Sequence, residues 1–129
     1  MNALEKRRYK RFNTEGTVVL KPEDGISRRI VADLVDLNFC GIGISSKERI
    51  ETGVNVKTEL FSKLWDESIM AEGMIKHSQE IKKPDSNLFK IGIEFTSFDE
   101  KTIEYLISRI RSDIIHQARK RHYKRGERR

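Results

Sequence analysis

Residues 28–44, RRIVADLVDLNFCGIGI, contain two apolar runs joined by a polar turn. In the first run apolar side chains recur at every second position, which is the period of a β-strand. One predicted face carries Ile30, Ala32, Leu34 and, by the same alternation, Asp36. Asp33 is then expected on the opposite face from Asp36, so these carboxylates do not form a pair. Ile42-Gly43-Ile44 begins a second strand, and the stretch predicts two consecutive strands.

Four more stretches show a strand pattern. They lie at 17–20, 54–60, 69–75 and 88–95. The first ends at a turn-rich cluster, residues 21–25, which is typical of a hairpin connection. Six short strands, with polar turns and no helix between them, predict an antiparallel barrel or sandwich and exclude a parallel α/β fold.

The apolar spacing changes after Phe98 to that of an amphipathic helix. The stripe consists of Ile103, Leu106, Ile107, Ile110 and Ile114. Ser97 stands three residues before Glu100, as in a capping box, and Asp99 is the alternative cap. A helix over residues 99–118 is therefore expected after the strands.

The net charge of +6 is concentrated at the two ends of the chain, and the middle is mildly acidic. Basic ends indicate an anionic partner or a solubilising role. Residues 1–12 show no strand or helix period and are expected to form a mobile arm. The strand domain then covers 13–98, and a basic tail covers 119–129, as a continuation of the helix or as frayed chain.

The length of 129 residues fits one domain with one hydrophobic core. No apolar run reaches the roughly 18 residues of a membrane span. A single cysteine, Cys40, favours a reducing, cytoplasmic location. His77, His116 and His122 are not at metal-ligand spacing with one another or with Cys40, so no metal site is predicted.

No group of residues supplies a nucleophile, a base and an oxyanion site together. The glycines of Gly41-Ile42-Gly43 lack the third glycine of a dinucleotide fingerprint, because position 46 is Ser46. The sequence therefore predicts a binding module rather than an enzyme, with no catalytic residues and no cofactor.

The first candidate ligand motif is Arg7-Arg8-Tyr9-Lys10-Arg11, which places two guanidinium groups four residues apart. Arginine suits phosphate oxygens and the O6/N7 edge of guanine, because its planar fork donates two hydrogen bonds at once. Alone, the motif is also typical of a solvated basic terminus.

The second candidate motif is the turn at residues 36–41, DLNFCG. Asp36 is suited to accept hydrogen bonds from the N1–H and N2–H groups of guanine, and Asn38 both donates and accepts. Gly41 permits a positive φ or a close approach of backbone to ligand. Alone, the segment is also typical of an Asx-type strand connection without a ligand.

The two motifs, in this order and spacing, resemble those of the PilZ domain family of bacterial cyclic di-GMP receptors. That family pairs Arg-x-x-x-Arg before the first strand with Asp/Asn-x-Ser-x-x-Gly between the second and third strands of a barrel. Here the motifs are Arg7-x-x-x-Arg11 and Asp36-x-Asn38-x-x-Gly41, and the resemblance covers residues 5 to 110. Asn38 replaces the usual serine. Both side chains donate and accept, so a hydrogen bond to the nucleotide is retained, from a larger group.

The resemblance implies a mainly β fold: a six-stranded antiparallel β-barrel with a C-terminal amphipathic helix. It implies a cytoplasmic cyclic di-GMP receptor whose arm folds over the barrel on binding and which signals to a protein partner. The implied ligand-binding residues are Arg7, Arg8, Arg11, Asp36, Asn38 and Gly41. Two alternatives remain: a degenerate adaptor that no longer binds nucleotide, and binding of nucleic acid or an anionic membrane surface through the basic tail.

Overall fold

The structure, a computed structural model, describes residues 10–127, with side chains described for residues 10–121. Six strands are followed by one helix. The strands are β1 (Phe12–Pro22), β2 (Ile30–Leu37), β3 (Gly41–Ser46), β4 (Asn55–Phe61), β5 (Ile69–Lys82) and β6 (Asn87–Ser97), and the helix is α1 (Glu100–Glu127).

The strands form a closed barrel in the order β1-β2-β3-β6-β5-β4, with every neighbouring pair antiparallel. The pairing of β1 with both β2 and β4 closes the sheet, which confirms the barrel and excludes the sandwich. Alternate side chains fill the interior, as the period-two pattern predicts. Fully buried examples are Val18, Leu20, Ile30, Leu37, Ile44, Leu60, Ile75 and Ile91.

The N-terminus of helix α1 is capped by Asp99, the second of the two expected caps. Its Oδ1 accepts a hydrogen bond from the Lys101 backbone N–H at 3.3 Å, and its Oδ2 accepts one from the Thr102 hydroxyl at 2.9 Å. Ser97 is instead the last residue of β6, so the capping box does not form. A carboxylate at this position also interacts favourably with the positive end of the helix dipole.

The first turns of α1 pack on the barrel. Ile103, Leu106, Ile107 and Ile110 are buried and join the core. Ile114 continues their stripe but is 45% exposed, so the helix extends beyond the surface that buries Ile110. The Nε of Arg109 donates to the Leu64 carbonyl at 2.9 Å and fixes the helix to the segment after β4. The helix then continues through the segment at 119–127, where lysine and arginine are favourable helix formers.

Leu106→Ala tests whether α1 is an integral part of the core. Leu106 is 0% exposed, so its truncation should lower the free energy of unfolding by about 2–5 kcal/mol. Tyr105→Ala, at a neighbouring residue that is 49% exposed, is the control and should change it by less than about 0.5 kcal/mol. Urea unfolding followed by circular dichroism measures both. Equal effects would show that the helix is not packed on the barrel as described.

Candidate functional site

Asn38 organises the connection between β2 and β3. Its side-chain Oδ1 accepts hydrogen bonds from the backbone N–H groups of Cys40 at 2.7 Å and Gly41 at 2.8 Å. The Asn38 backbone N–H donates to the Gly41 carbonyl at 3.0 Å. This is an Asx-type turn, as one interpretation of the sequence predicts. Because Oδ1 is used within the turn, the group that Asn38 can offer a ligand is its Nδ2 amide, a donor.

Asp36 lies on the outer face of the barrel, so its predicted place beside Leu34 on the core face is wrong. The β2–β3 register shifts between Leu34 and Asp36, which makes Val35 the extra residue of a β-bulge. Leu34 and Leu37 therefore face the core, and the Asp36 carboxylate points outward. Asp33 is exposed on the same outer face, so the expectation that Asp33 and Asp36 point to opposite faces is wrong as well.

Arg11 meets Asp36 directly before β1 begins. Its Nη1 lies 3.8 Å from Asp36 Oδ2, and the two side chains are 62% and 18% exposed. An ion pair this open to solvent contributes about 0–1 kcal/mol to stability. The structure thus brings together one residue from each predicted motif. The other two arginines of the first motif, Arg7 and Arg8, lie outside the described residues.

Gly41 is required by the packing of the turn on β6. A Cβ atom at this position would overlap the carbonyl oxygen of Ile93. Of the two properties that glycine permits here, Gly41 does not use a positive φ, since among the described residues only Gly25 and Gly53 have one. The turn is held in place further by the Phe95 backbone N–H, which donates to the Cys40 carbonyl at 2.7 Å.

A row of residues crosses four strands on the outer face beside this turn. Asp36 in β2 lies opposite Gly43 in β3, Gly43 opposite Gly92 in β6, and Gly92 opposite His77 in β5. A Cβ atom on Gly43 would lie 2.7 Å from Asp36 Oδ1, so the carboxylate occupies the space that a side chain would take. The His77 ring covers Gly92 in the same way, because a Cβ atom on Gly92 would lie 2.6 Å from His77 Cε1.

Three residues of the row, Asp36, Gly92 and His77, line an open cleft of about 250 Å³. Its lining residues are Arg11, Asp36, Asn38, Cys40, Gly41, Ile42, Lys76, His77, Gly92, Ile93 and Glu94. A second ion pair lies on the far side, where Lys76 Nζ is 3.7 Å from Glu94 Oε2. Larger clefts of about 470 and 710 Å³ lie around Trp65 and between α1 and β1, and neither contains a predicted site residue.

The chemistry of the cleft suits a polar ligand that presents both hydrogen-bond acceptors and donors. Its described charged residues form two pairs, Arg11 with Asp36 and Lys76 with Glu94, and the Asn38 amide is a further donor. Within the described residues no cluster of side chains is arranged to hold a metal ion. In the same part of the chain, no helix is both long and apolar enough to span a membrane.

Gly43 in the row and Gly92, Lys76 and His77 in the cleft are not among the site residues predicted from the sequence. For Gly43 and Gly92 a signal exists, because Ile-Gly-Ile occurs at both 42–44 and 91–93. A glycine between two core residues of a strand often marks a close approach on the outer face. Lys76 and His77 face the cleft because the β5–β6 register shifts between Ile75 and His77, and alternation alone does not reveal such a shift.

The described residues thus form a small closed six-stranded barrel with a polar cleft on its outer face. The chain belongs to the PilZ domain family, whose model matches residues 5–112. This confirms the family that the two motifs indicate.

Solved structures share this fold. The chain is similar to the PilZ domain of YcgR from Escherichia coli, solved with c-di-GMP, with 16% identity, a TM-score of 0.67 and coverage of 92% of this chain and 98% of that one. For the MrkH–c-di-GMP complex of K. pneumonia the identity is 17% and the TM-score 0.68, with coverage of 89% of this chain and 54% of MrkH. For the Bacillus subtilis inhibitor of motility (MotI/DgrA) the identity is 16% and the TM-score 0.65, with coverage of 85% of this chain and 52% of that one. The chain spans about half the length of MrkH and of MotI/DgrA. The comparison with curated proteins found no match.

Asn38→Ala tests the turn independently of any ligand. The variant leaves two backbone N–H groups without their acceptor, so the free energy of unfolding should fall by about 1–3 kcal/mol. Asn38→Ser is the matched comparison, because a hydroxyl can accept from the same backbone groups and should recover part of this loss. Urea unfolding of the three proteins measures the difference. An alanine variant as stable as the parent would show that the turn does not depend on this side chain.

Proposed function

We propose that this protein is a cytoplasmic cyclic di-GMP receptor that holds its ligand in the cleft between the N-terminal arm and the turn at 36–41. The observation that supports this most directly is the 3.8 Å approach of Arg11 to Asp36 in a PilZ domain, because it joins the two motifs at one cleft. Two structures of the same fold, YcgR and MrkH, were determined with c-di-GMP.

The arginines meet the two phosphates and one guanine of this ligand. Arg7 and Arg11 donate paired hydrogen bonds to phosphate oxygens or to the O6/N7 edge, and Arg8 supports them. The ion pair between Arg11 and Asp36 is weak because Arg11 is 62% exposed, so a ligand phosphate replaces the carboxylate at low cost. The pair therefore keeps Arg11 beside the cleft until a ligand arrives.

The turn reads a guanine edge. The Asp36 carboxylate accepts from N1–H and N2–H, and such charge-assisted hydrogen bonds are among the strong ones. The Asn38 amide donates through Nδ2 to an acceptor of the nucleotide, while Oδ1 continues to hold the turn. Asparagine in place of serine thus keeps both the local structure and a donor for the ligand.

Ligand binding orders the arm across the barrel. Arg7 and Arg11 are four residues apart and both contact one ligand, so the chain between them must follow the cleft. The ordered arm creates a surface that the free protein does not present, and a protein partner reads that surface together with α1. The arm is thus the element that converts binding into a signal.

Arg7→Ala and Arg11→Ala should each weaken cyclic di-GMP binding by about 1.5–3 kcal/mol, the contribution of a hydrogen bond to a charged group. In dissociation constants this is roughly 10- to 150-fold. Isothermal titration calorimetry at moderate salt measures it. Arg111→Ala is the matched control, because that arginine is exposed on α1 and does not line the cleft.

Unchanged affinity in both arm variants would place the ligand elsewhere. The absence of binding by the parent protein would instead support a degenerate adaptor.

Trypsin tests the ordering of the arm, because residues 6–11 contain five lysine or arginine cleavage points, Lys6, Arg7, Arg8, Lys10 and Arg11. Saturating cyclic di-GMP should slow cleavage there at least about tenfold, since a protease needs a locally open chain. Mass spectrometry of the early products measures the rates, with cleavage in the tail at 119–129 as the internal control. Equal slowing at both ends would indicate general stabilisation rather than ordering of the arm.

A further inference from the structure

We propose that His77 is an additional ligand-binding residue of this site, whose ring stacks on a purine base of the bound nucleotide. This inference rests on the proposed function, because it assigns a contact within the same cleft. One wall of the cleft is the turn between β2 and β3, with Asp36 and Asn38, and the opposite wall is β5, with Lys76 and His77. The inference extends the site from the first wall to the second.

The backbone of β5 places His77 on that wall. Ile75 is 1% exposed and lies opposite Ile93 inside the barrel, and the next register pair is His77 with Gly92. Lys76 is therefore the extra residue of a bulge, and two consecutive side chains, Lys76 and His77, are exposed on the outer face. A strand without the bulge would turn one of them toward the core.

Two central glycines let the side chains of Asp36 and His77 lie close to the surface of the sheet. The row from Asp36 to His77 crosses three interstrand spacings, or roughly 14 Å. Its two central positions, Gly43 and Gly92, have no side chain. Asp36 and His77 fill the space above these two glycines, so a planar ligand lies on the outer face of the His77 ring rather than on the backbone.

The His77 ring is placed where only glycine permits it. A Cβ atom on Gly92 would overlap Nε2 and would lie 2.6 Å from Cε1 and 2.7 Å from Cδ2, so the imidazole covers that glycine. The residue as a whole is nevertheless exposed. An aromatic ring that is supported by the backbone on one side and open to solvent on the other can stack on a base.

The two walls supply complementary contacts to a purine. Asp36 and the Asn38 amide offer polar contacts to the edge of a base, and an aromatic ring offers contact to its face. Recognition of both edge and face is usual where proteins bind unpaired bases. Beside His77, the ion pair of Lys76 with Glu94 balances the negative charge that Glu94 would otherwise present to a phosphate.

The test is calorimetry with cyclic di-GMP on the parent, His77→Ala, His77→Gln and His77→Phe. The alanine and glutamine variants should bind roughly 5- to 150-fold more weakly, the range for loss of base–aromatic stacking. The phenylalanine variant should remain within about threefold of the parent because it keeps an aromatic face. His116→Ala is the matched control, since that histidine is exposed on α1 outside the cleft.

A spectroscopic readout separates stacking from a role in folding. The ring protons of His77, assigned by their absence in His77→Gln, should shift upfield in the NMR spectrum on addition of cyclic di-GMP, as expected for a ring that faces a base. Urea unfolding checks that the free variants keep the fold.

The outcomes distinguish this inference from the function on which it depends. A parent that binds, with His77→Ala of equal affinity or His77→Gln equal to His77→Phe, overturns the stacking contact and leaves the receptor intact. A parent that does not bind overturns both. Weakened binding by the alanine and glutamine variants, retained binding by phenylalanine and an upfield shift together support His77 as a stacking residue.

Discussion

The site depends on two extra residues, one in β2 and one in β5. A closed barrel of this size fills its interior with apolar side chains, so strict alternation would place polar residues of the cleft in the core or separate them. The bulge at Val35 turns Asp36 outward, and the bulge at Lys76 turns His77 outward on the opposite side of the cleft. Each bulge leaves Leu37 or Ile75 in the core, so the cleft is built without loss of packing.

The polar groups of the free cleft already interact with one another. Asp36 lies beside Arg11, Lys76 beside Glu94, and the Asn38 oxygen is bonded within its turn. Only the last of these is structural, because the two ion pairs are open to water and contribute little to stability. A ligand that replaces one partner in either ion pair therefore removes little interaction energy from the protein. The turn, which must keep its shape, is held by hydrogen bonds that the ligand does not need to break.

The sequence predicted the six strands along the chain, the turn at 36–41 and the buried face of α1 as far as Ile110, because each follows from local periodicity or turn chemistry. It misplaced Asp36, since valine fits either face of a strand and nothing in the pattern marks Val35 as the extra residue. It also extended the buried stripe to Ile114, because periodicity gives the direction of a helix face but not the extent of the surface that covers it. His77 was missed because a β-bulge, which periodicity does not reveal, sets its place in the cleft through the pairing of β5 with β6.

Closure of the barrel limits how this domain meets other macromolecules. Every strand has neighbours on both sides along the closed part of the barrel, so among the described residues the free sheet edge is limited to strand ends, such as β5 beyond Met74, which pairs with β6. Recognition by backbone pairing, which many small β domains use, is thus limited to these ends. Elsewhere a partner has to recognise side chains, and the part of α1 that extends beyond the barrel is an element whose side chains are already free of the core. Specificity in any such assembly is therefore carried by sequence rather than by main-chain geometry, and it can change between related proteins without altering the barrel.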